Sequence, residues 1–185
     1  MPRWLLYLLG WEIGWHAVQL YQRGSFFSQA QAAALAVGKP FLVVGTPRGQ
    51  YPCGDVVLDL EAPPGECPVE KQGSIESIPY PDKHFGAVFV SHVVEHVCDP
   101  VKSLQELRRV ADKVFIVYPY PWRLTMLLVP GHAWLVLGSN EQPKFVPWFR
   151  GNCNVPTHYG TKPDAAPVAA STPTTTAIDG WYERR

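Results

Sequence analysis

Two polar side chains that can take part in chemistry directly follow a continuous apolar segment. Ser91 and His92 come after residues 85–90, whose apolar character without alternation predicts a strand buried on both faces. In an open α/β sheet, ligands bind in the crevice beyond the carboxyl ends of the strands. The pattern therefore predicts a ligand site at Ser91 and His92, and an imidazole there can act as a base near neutral pH.

A second motif uses some of the same residues. His92, Glu95 and His96 match the H-x-x-E-H pattern of inverted zinc peptidases, in which two histidines bind zinc and the glutamate is the base. Asp99 and Pro100 restart the chain directly afterwards, and the sequence offers no clear third ligand. A zinc peptidase is therefore a remote alternative, and Glu95 and His96 are interpreted as hydrogen-bonded structural groups.

The elements around this segment predict an α/β fold with a mostly parallel sheet. A helix is predicted after Asp99, because Asp99 is a suitable N-cap and Pro100 suits the first helical position. The nine residues 46–54 are too few for a crossover helix and predict a loop. The other predicted elements are a helix at 28–37 with Ser28 as its N-cap, buried strands at 41–45, 56–60 and 114–118, and final strands at 132–137 and 144–149.

The first part of the chain predicts an amphipathic helix over residues 3–23. Glu12, His16, Gln19 and Arg23 share one face, and Trp, Leu and Tyr residues occupy the remainder. The apolar run is too short to predict a membrane-spanning helix. Peripheral contact with a membrane is one interpretation, and docking on the domain or on a partner protein is the other. Glu12 and the scarcity of Lys and Arg favour docking.

Length and composition predict one domain with two flanking segments. The chain has 185 residues, of which 46% are hydrophobic, and its formal net charge is zero. The absence of a basic patch argues against nucleic acid as a partner. Residues 1–25 form the predicted N-terminal helix, residues 26–150 the α/β domain, and residues 151–185 an irregular Pro/Thr/Ala-rich tail.

The four cysteines do not predict a metal site. Cys53, Cys67, Cys98 and Cys153 form no C-x-x-C pair, so a structural zinc site is not supported and no metal is predicted. A disulfide between Cys53 and Cys67 is conceivable. Free thiols in a reducing cytoplasm are the favoured interpretation.

Three segments resemble the class I S-adenosylmethionine-dependent methyltransferases. Residues 78–88 look like the "LPF-x-D-x-x-F-D-x-V" segment of that family, and residues 91–100 look like its "S-x-V-L-E-H-x-x-D-P" segment. Residues 104–110 resemble "L-x-E-x-x-R-V". The match is dense over 74–118 and thinner over 28–60. The resemblance implies a Rossmann-like sheet and S-adenosylmethionine as the cofactor.

The resemblance also implies roles for particular residues. In the family, the loop after the first strand holds the methionine part of the cofactor, and an acid ending the second strand binds the ribose hydroxyls. Carried over, Asp59 is the ribose acid. The other implied positions are Gly45, Thr46 and Gly49 in the first loop, Ser74 and Ile75 beside the adenine, and Ser91 with the catalytic residue His92 at the methyl-transfer site.

Several residues depart from the family pattern. Val43 stands where the family has an acid, Pro47 replaces the middle glycine, and Gly86 replaces an aspartate. Residues 111–113 replace a Pro-Gly-Gly segment. These departures cluster at cofactor positions, whereas the apolar core pattern is kept.

Two hypotheses follow from this imbalance, and they leave open whether the chain is an enzyme. The first is methyl transfer from S-adenosylmethionine to an unidentified acceptor. The alternative is a non-catalytic subunit with a methyltransferase fold, held in a larger assembly through residues 1–23 and 151–185. The expected location is the cytoplasm, the periphery of a membrane or a large assembly.

Overall fold

The computed structural model of the chain contains a parallel sheet, a hairpin and three helices in its described part. The described residues are 3–61, 65, 67–128, 131–139 and 142–148, so the predicted tail lies outside them. In chain order the elements are α1 (Arg3–Ala36), β1 (Phe41–Val44), β2 (Val56–Asp59), β3 (Glu70–Gln72), β4 (Phe85–Ser91), α2 (Pro100–Val110), β5 (Ala111–Val117), α3 (Leu124–Leu128), β6 (Trp134–Gly138) and β7 (Pro143–Pro147).

The main sheet has the strand order β3-β2-β1-β4-β5, and all its neighbouring strands are parallel. The hairpin β6–β7 is antiparallel and forms a separate sheet. This architecture is Rossmann-like and confirms the predicted fold class. The strand order changes direction between β1 and β4, and such a switch point is where open α/β sheets bind ligands.

Both faces of the main sheet are buried, and a different helix covers each. Strand β4 is buried at all seven positions, as its continuous apolar sequence predicts. Helix α2 covers one face, where the core contains Leu42, Leu58, Val88, Val90, Leu107 and Val110. Helix α1 covers the other face, where the core contains Phe27, Ala30, Ala34, Phe41, Val43 and Phe89.

Helix α1 is continuous, so the predicted separate helix over 28–37 is wrong at its start. The Ser28 hydroxyl donates to the carbonyl oxygen of Gly24 at 3.0 Å, which is a bond inside a helix and not an N-cap. The predicted boundary after residue 25 falls within this helix. Gly38 follows its end with φ +64°, a conformation that favours glycine after a helix terminus.

The first half of α1 docks through its polar residues, and many of its apolar residues are exposed. The carboxylate of Glu12 lies 3.4 Å from Arg123 and accepts from the backbone N–H of Leu124 at 2.9 Å. Gln19 also accepts from Arg123, whose side chain is buried. The most exposed large apolar residues here include Trp4, Leu6, Tyr7, Leu9, Trp11, Ile13 and Tyr21. Among the described residues, no helix has the length and apolarity needed to cross a bilayer.

Gly86 in strand β4 lies where the end of α1 approaches the strand closely. A Cβ added at Gly86 would lie 2.7 Å from Val37 Cγ2 and 2.8 Å from Ala34 Cα. No side chain fits at such distances without moving the helix backbone. The packing of α1 therefore explains why this chain has glycine where the family has aspartate.

An arginine of α2 holds the loop that precedes β4. Arg109 donates to the carbonyl oxygens of Tyr80 at 2.8 Å and Ile78 at 2.9 Å. Hydrogen bonds from Arg109 to Glu106, and then to Asp82, raise the pKa of its guanidinium above the usual value. The residues that resemble the family most closely thus include a hydrogen-bonded clamp between α2 and this loop.

One of two predictions about the loop connections is confirmed, and the other is wrong. The β1–β2 connection contains no helix, which confirms the predicted loop. However, Cys53 in this connection forms a disulfide with Cys67, whose Cα lies 5.7 Å away in the connection that leads to β3. The preference for free thiols was therefore wrong for this pair, because the fold brings two sequence-distant loops together. The cytoplasmic location stays a prediction, and the cysteines no longer support it.

Replacing Gly86 with alanine tests the close approach of α1. We expect Gly86→Ala to lower the free energy of unfolding by about 1–3 kcal/mol, because the new methyl group overpacks the interface. Gly24→Ala is the matched control, since outside its own helix backbone no atom of the described part of the chain lies within 4 Å of a Cβ at this helical position. The control should stabilise the fold by about 0.5–1 kcal/mol. Urea denaturation measures both values, and equal effects would contradict the interpretation.

Reduction of the disulfide should destabilise the domain. The bridge closes a segment with a sequence separation of 14 residues. Constraint of the unfolded chain by a loop of this size contributes about 3 kcal/mol. We therefore expect the Cys53→Ser/Cys67→Ser variant to unfold at a lower urea concentration than the oxidised protein. Reductant should lower the midpoint of the oxidised protein and leave that of the variant unchanged.

Candidate functional site

The carboxyl ends of three strands meet at the switch point of the sheet. The N–H of Gly45, which follows β1, donates to the carbonyl oxygen of Leu58 in β2 at 2.8 Å. A Cβ on Gly45 would lie 3.8 Å from the carbonyl oxygen of Ser91 at the end of β4. The fold therefore brings the predicted residues Gly45, Asp59 and Ser91 to one edge of the sheet.

The carboxylate of Asp59 is bound by the loop that follows β1. Asp59 Oδ2 accepts from Thr46 N at 2.7 Å and from Thr46 Oγ1 at 2.6 Å. Asp59 Oδ1 accepts from Glu61 N at 3.1 Å. Each carboxylate oxygen has about two acceptor positions, so one position on Oδ1 remains for a further donor. Thr46 thus fixes the orientation of Asp59.

Glu61 adds a second carboxylate to this edge, and the sequence interpretation missed it. Its Oε1 atom is buried and has no hydrogen-bond partner within the described ranges, and Oε2 lies 3.8 Å from Arg48. Burial, and then the charge of Asp59, raise the pKa of the Glu61 carboxyl. The available signal was an acid two residues after the predicted ribose acid.

The loop beside Gly45 is narrowed by two side chains. Gly45 has φ +91°, and a Cβ there would lie only 3.0 Å from Val93 Cγ2. The hydroxyl of Tyr51 donates to the Gly45 carbonyl oxygen at 3.4 Å, and burial raises the Tyr51 pKa to about 12. Gly49 has φ +71°, and apart from its chain neighbours no atom of the described residues lies within 4 Å of a Cβ placed there. The predicted methionine side of the site therefore has little room at Gly45 and is open at Gly49.

The predicted adenine residues follow strand β3. Gly73 N donates to the Asp59 carbonyl oxygen at 2.7 Å, so Ser74 comes directly after a residue that contacts Asp59. The Ser74 hydroxyl accepts from Glu76 N at 3.1 Å. The side chain of Ile75 is buried in the core. The structure therefore shows Ser74 in a turn and Ile75 in the core. Their role beside adenine stays a prediction.

Ser91 and His92 end strand β4 with two unpartnered polar atoms. Ser91 Oγ and His92 Nε2 are both buried, and neither has a hydrogen-bond partner in the described part of the chain. His92 has φ +55°, which is uncommon for a residue other than glycine. Its Nδ1 atom lies 3.3 Å from Oε1 of the buried residue Glu95. His92 therefore has Nδ1 next to a carboxylate, while Nε2 has no partner among the residues that the structure describes.

Helix α1 brings a cation to the same region. Arg23 donates to the Gln50 side chain in the β1–β2 connection. Burial lowers the pKa of Arg23, while the charges of Tyr51 and Glu95 act in the opposite direction. The sequence predicted Arg23 only as part of a polar helix face. Its contribution depends on how α1 lies on the sheet, which the sequence does not reveal.

Comparison with known proteins gives a match to a methyltransferase family model over part of the chain. The family model described as a methyltransferase domain matches residues 59–114, from the end of β2 into β5. The match begins at Asp59 and therefore leaves out the loop with Gly45 and Gly49. No curated protein and no solved structure matches the chain. The match concerns methylation with S-adenosylmethionine in general, and it confirms the resemblance of this chain to the class I S-adenosylmethionine-dependent methyltransferases.

Proposed function

We propose that the chain transfers a methyl group from S-adenosylmethionine to an acceptor that is still to be identified. The observation that carries the proposal is the pair of carboxylates, Asp59 and Glu61, at the carboxyl end of β2 beside the switch point. Asp59 Oδ1 has a remaining acceptor position, and Glu61 Oε1 has no partner among the described residues. Two such oxygens suit the two hydroxyl donors of a ribose.

The residues at this edge fit the ribose better than they fit the methionine part. A buried carboxylate oxygen without a donor is costly, and a ribose hydroxyl would remove that cost at Glu61. Thr46 holds Asp59 in place through two hydrogen bonds. When bound, S-adenosylmethionine supplies an electrophilic methyl group on a sulfonium. In this proposal Asp59 and Glu61 bind the ribose of the cofactor, and the open space at Gly49 accommodates its methionine part.

The end of β4 is the proposed acceptor side. Ser91 Oγ and His92 Nε2 can both form hydrogen bonds to an acceptor group, since both lack partners in the described structure. Methyl transfer mainly requires that the protein positions the reactants and excludes water. The proposal therefore assigns Ser91 and His92 a positioning role, and a catalytic role for His92 stays a prediction.

Titration calorimetry with S-adenosylmethionine tests the proposal directly. We expect the wild-type chain to bind the cofactor, and Glu61→Gln and Asp59→Asn to weaken binding about tenfold or more. Loss of one hydrogen bond to a charged group costs about 1.5–3 kcal/mol, which corresponds to this change. Asp112→Asn is the matched control, because Asp112 pairs with Lys39 at the opposite edge of the sheet.

Two results would contradict the proposal. The first is no heat and no thermal shift with millimolar cofactor in the oxidised wild-type protein. The second is binding that Glu61→Gln and Asp59→Asn leave as strong as the control does. In the second case the cofactor would bind elsewhere on the chain.

A non-catalytic role is the second candidate, and two observations favour it. Val93 and Tyr51 crowd Gly45, where a cofactor would approach the first loop. The first half of α1 also exposes many large apolar side chains, and such surfaces mark interaction sites. We propose a protein partner for this surface, because Glu12 is the only charged residue between Arg3 and Arg23, which does not suit anionic lipid.

The self-association of the chain tests whether the exposed apolar side of α1 is an interaction surface. Leu6, Leu9 and Ile13 are 57%, 58% and 61% exposed and lie on one helix face. We expect the wild-type chain to form larger species as its concentration rises in sedimentation velocity, and the triple glutamine variant at these positions to stay monomeric. Leu35→Gln is the control, since Leu35 is 74% exposed on the same helix.

The same variants separate a protein partner from a lipid surface. If zwitterionic vesicles bind the wild-type chain and not the triple variant, a membrane surface replaces the protein partner. If the triple variant associates as strongly as the wild type, this side of α1 is not an interaction surface.

A further inference from the structure

A fully buried carboxylate lies under the end of strand β4. Glu95 is 0% exposed, and neither of its carboxylate oxygens has a hydrogen bond of acceptable geometry within the described residues. Buried carboxylates in proteins are normally paired, hydrogen-bonded or bound to a metal, because an isolated buried charge is costly. His92 Nδ1, 3.3 Å from Glu95 Oε1, offsets part of this cost, and a bound cation would offset more of it.

Two histidines complete a compact group of ligand atoms with Glu95. One potential ligand atom from each of Glu95, His96 and His132 lies within 4.8 Å of those of the other two residues. The imidazole rings of His96 and His132 have centroids 4.7 Å apart. His132 is buried and His96 is half-buried. The group combines two imidazoles and one carboxylate, a ligand set that binds Zn²⁺ in proteins.

Backbone carbonyl groups orient both imidazoles. His96 Nδ1 lies 3.0 Å from the Gly131 carbonyl oxygen, and His132 Nδ1 lies 3.4 Å from the Met126 carbonyl oxygen. A carbonyl oxygen only accepts, so each contact is a hydrogen bond in the tautomer that carries the proton on Nδ1 and leaves the Nε2 lone pair for a ligand. Metal-binding histidines typically donate their other ring N–H in this manner, which fixes the tautomer for coordination.

The fold holds this group together through the backbone of Glu95. The Glu95 carbonyl oxygen accepts from Ala133 N at 2.7 Å and from Trp134 N at 3.1 Å. The indole N–H of Trp134 donates to the Val97 carbonyl oxygen at 2.8 Å. These bonds place His132 next to Glu95 and His96, although it lies 36 positions after His96 in the sequence.

We propose that Glu95, His96 and His132 form a binding site for a divalent transition-metal ion, with Zn²⁺ as the best-suited ion. Zinc ligands lie about 2.0–2.2 Å from the ion, so ligand atoms of a tetrahedral site are roughly 3.5 Å apart. The side chains must therefore close by about 1 Å on binding, which small rotations of the imidazoles and the carboxylate provide. His92 Nδ1, 3.3 Å from Glu95 Oε1, positions the carboxylate.

This site differs from the zinc peptidase pattern suggested by the sequence. That pattern uses His92 and His96 as ligands and keeps Glu95 as a base that reaches solvent and substrate. Here Glu95 is a buried ligand, and the third ligand is His132, which lies far outside the motif. The site joins the turn after β4 to the segment that leads into β6. Its role is therefore to hold the β6–β7 hairpin against the domain.

Metal titration of the full oxidised chain tests the proposal. Co²⁺ serves as the spectroscopic probe, and Zn²⁺ is then added in competition. We expect one Co²⁺ per chain with the visible absorption of a four- or five-coordinate N/O site, displacement by Zn²⁺, and a higher melting temperature with either ion. His132→Ala and Glu95→Gln should weaken binding at least 100-fold. His84→Ala is the control, since His84 stacks on Tyr80 outside this group.

A second substitution keeps the test decisive if removal of the imidazole unfolds the chain. His132→Asn retains an N–H for the Met126 carbonyl oxygen and loses the Nε2 ligand, so it should fold and bind the metal weakly. Absence of stoichiometric binding by the folded wild type at 50-fold molar excess of Zn²⁺ would overturn the proposal. So would equal affinity in His132→Asn and His84→Ala. In the first case Glu95 serves only as the counter-ion of His92 and Arg23, and in the second case the metal binds without His132.

Discussion

The need to cover both faces of a parallel sheet determines how the rest of this structure is arranged. Every residue of strands β1 and β4 is buried, so apolar side chains on both faces of the sheet must be covered. Helix α2 covers one face in the usual way. The β1–β2 connection contains no helix to cover the other, so α1 takes that place. Gly86 is the local consequence, because α1 could not lie so close to β4 over a larger residue.

Helix α1 is long enough to cover the sheet and also to reach the candidate site. Its second half covers the sheet, and its first half continues past the carboxyl edge of the strands. Glu12 and Gln19 therefore bind Arg123, and Arg23 lies within electrostatic reach of Tyr51 and Glu95. The same arrangement turns large apolar side chains outward. One helix thus covers the sheet, contributes residues to the candidate site and supplies an exposed surface.

Local sequence signals predicted most elements, and long-range contacts account for what they missed. The N-cap at Asp99, whose carboxylate accepts from Lys102 N at 2.8 Å, and the buried strand β4 each follow from neighbouring residue types. Strand β3 was missed because Glu70–Gln72 is short, polar and mostly exposed, and only its pairing with β2 makes it a strand. The disulfide and the position of His132 depend on loops that meet in space. The periodicity of a sequence does not predict contacts between loops that are far apart in the chain.

The three carboxylates near the sheet edge differ in their burial and in their hydrogen-bond partners, although their chemistry is the same. Asp59 accepts three hydrogen bonds from Thr46 and Glu61 N, so it has a structural role in addition to its proposed one. Glu61 and Glu95 each retain buried oxygens without partners in the described structure. The charge of Glu95 faces imidazoles, whose nitrogens suit a metal ion, whereas Glu61 adjoins a second carboxylate at an open edge, which suits the hydroxyl donors of a sugar. The difference in neighbours, and not in the acid itself, therefore distinguishes the proposed metal ligand Glu95 from the proposed ribose acceptor Glu61.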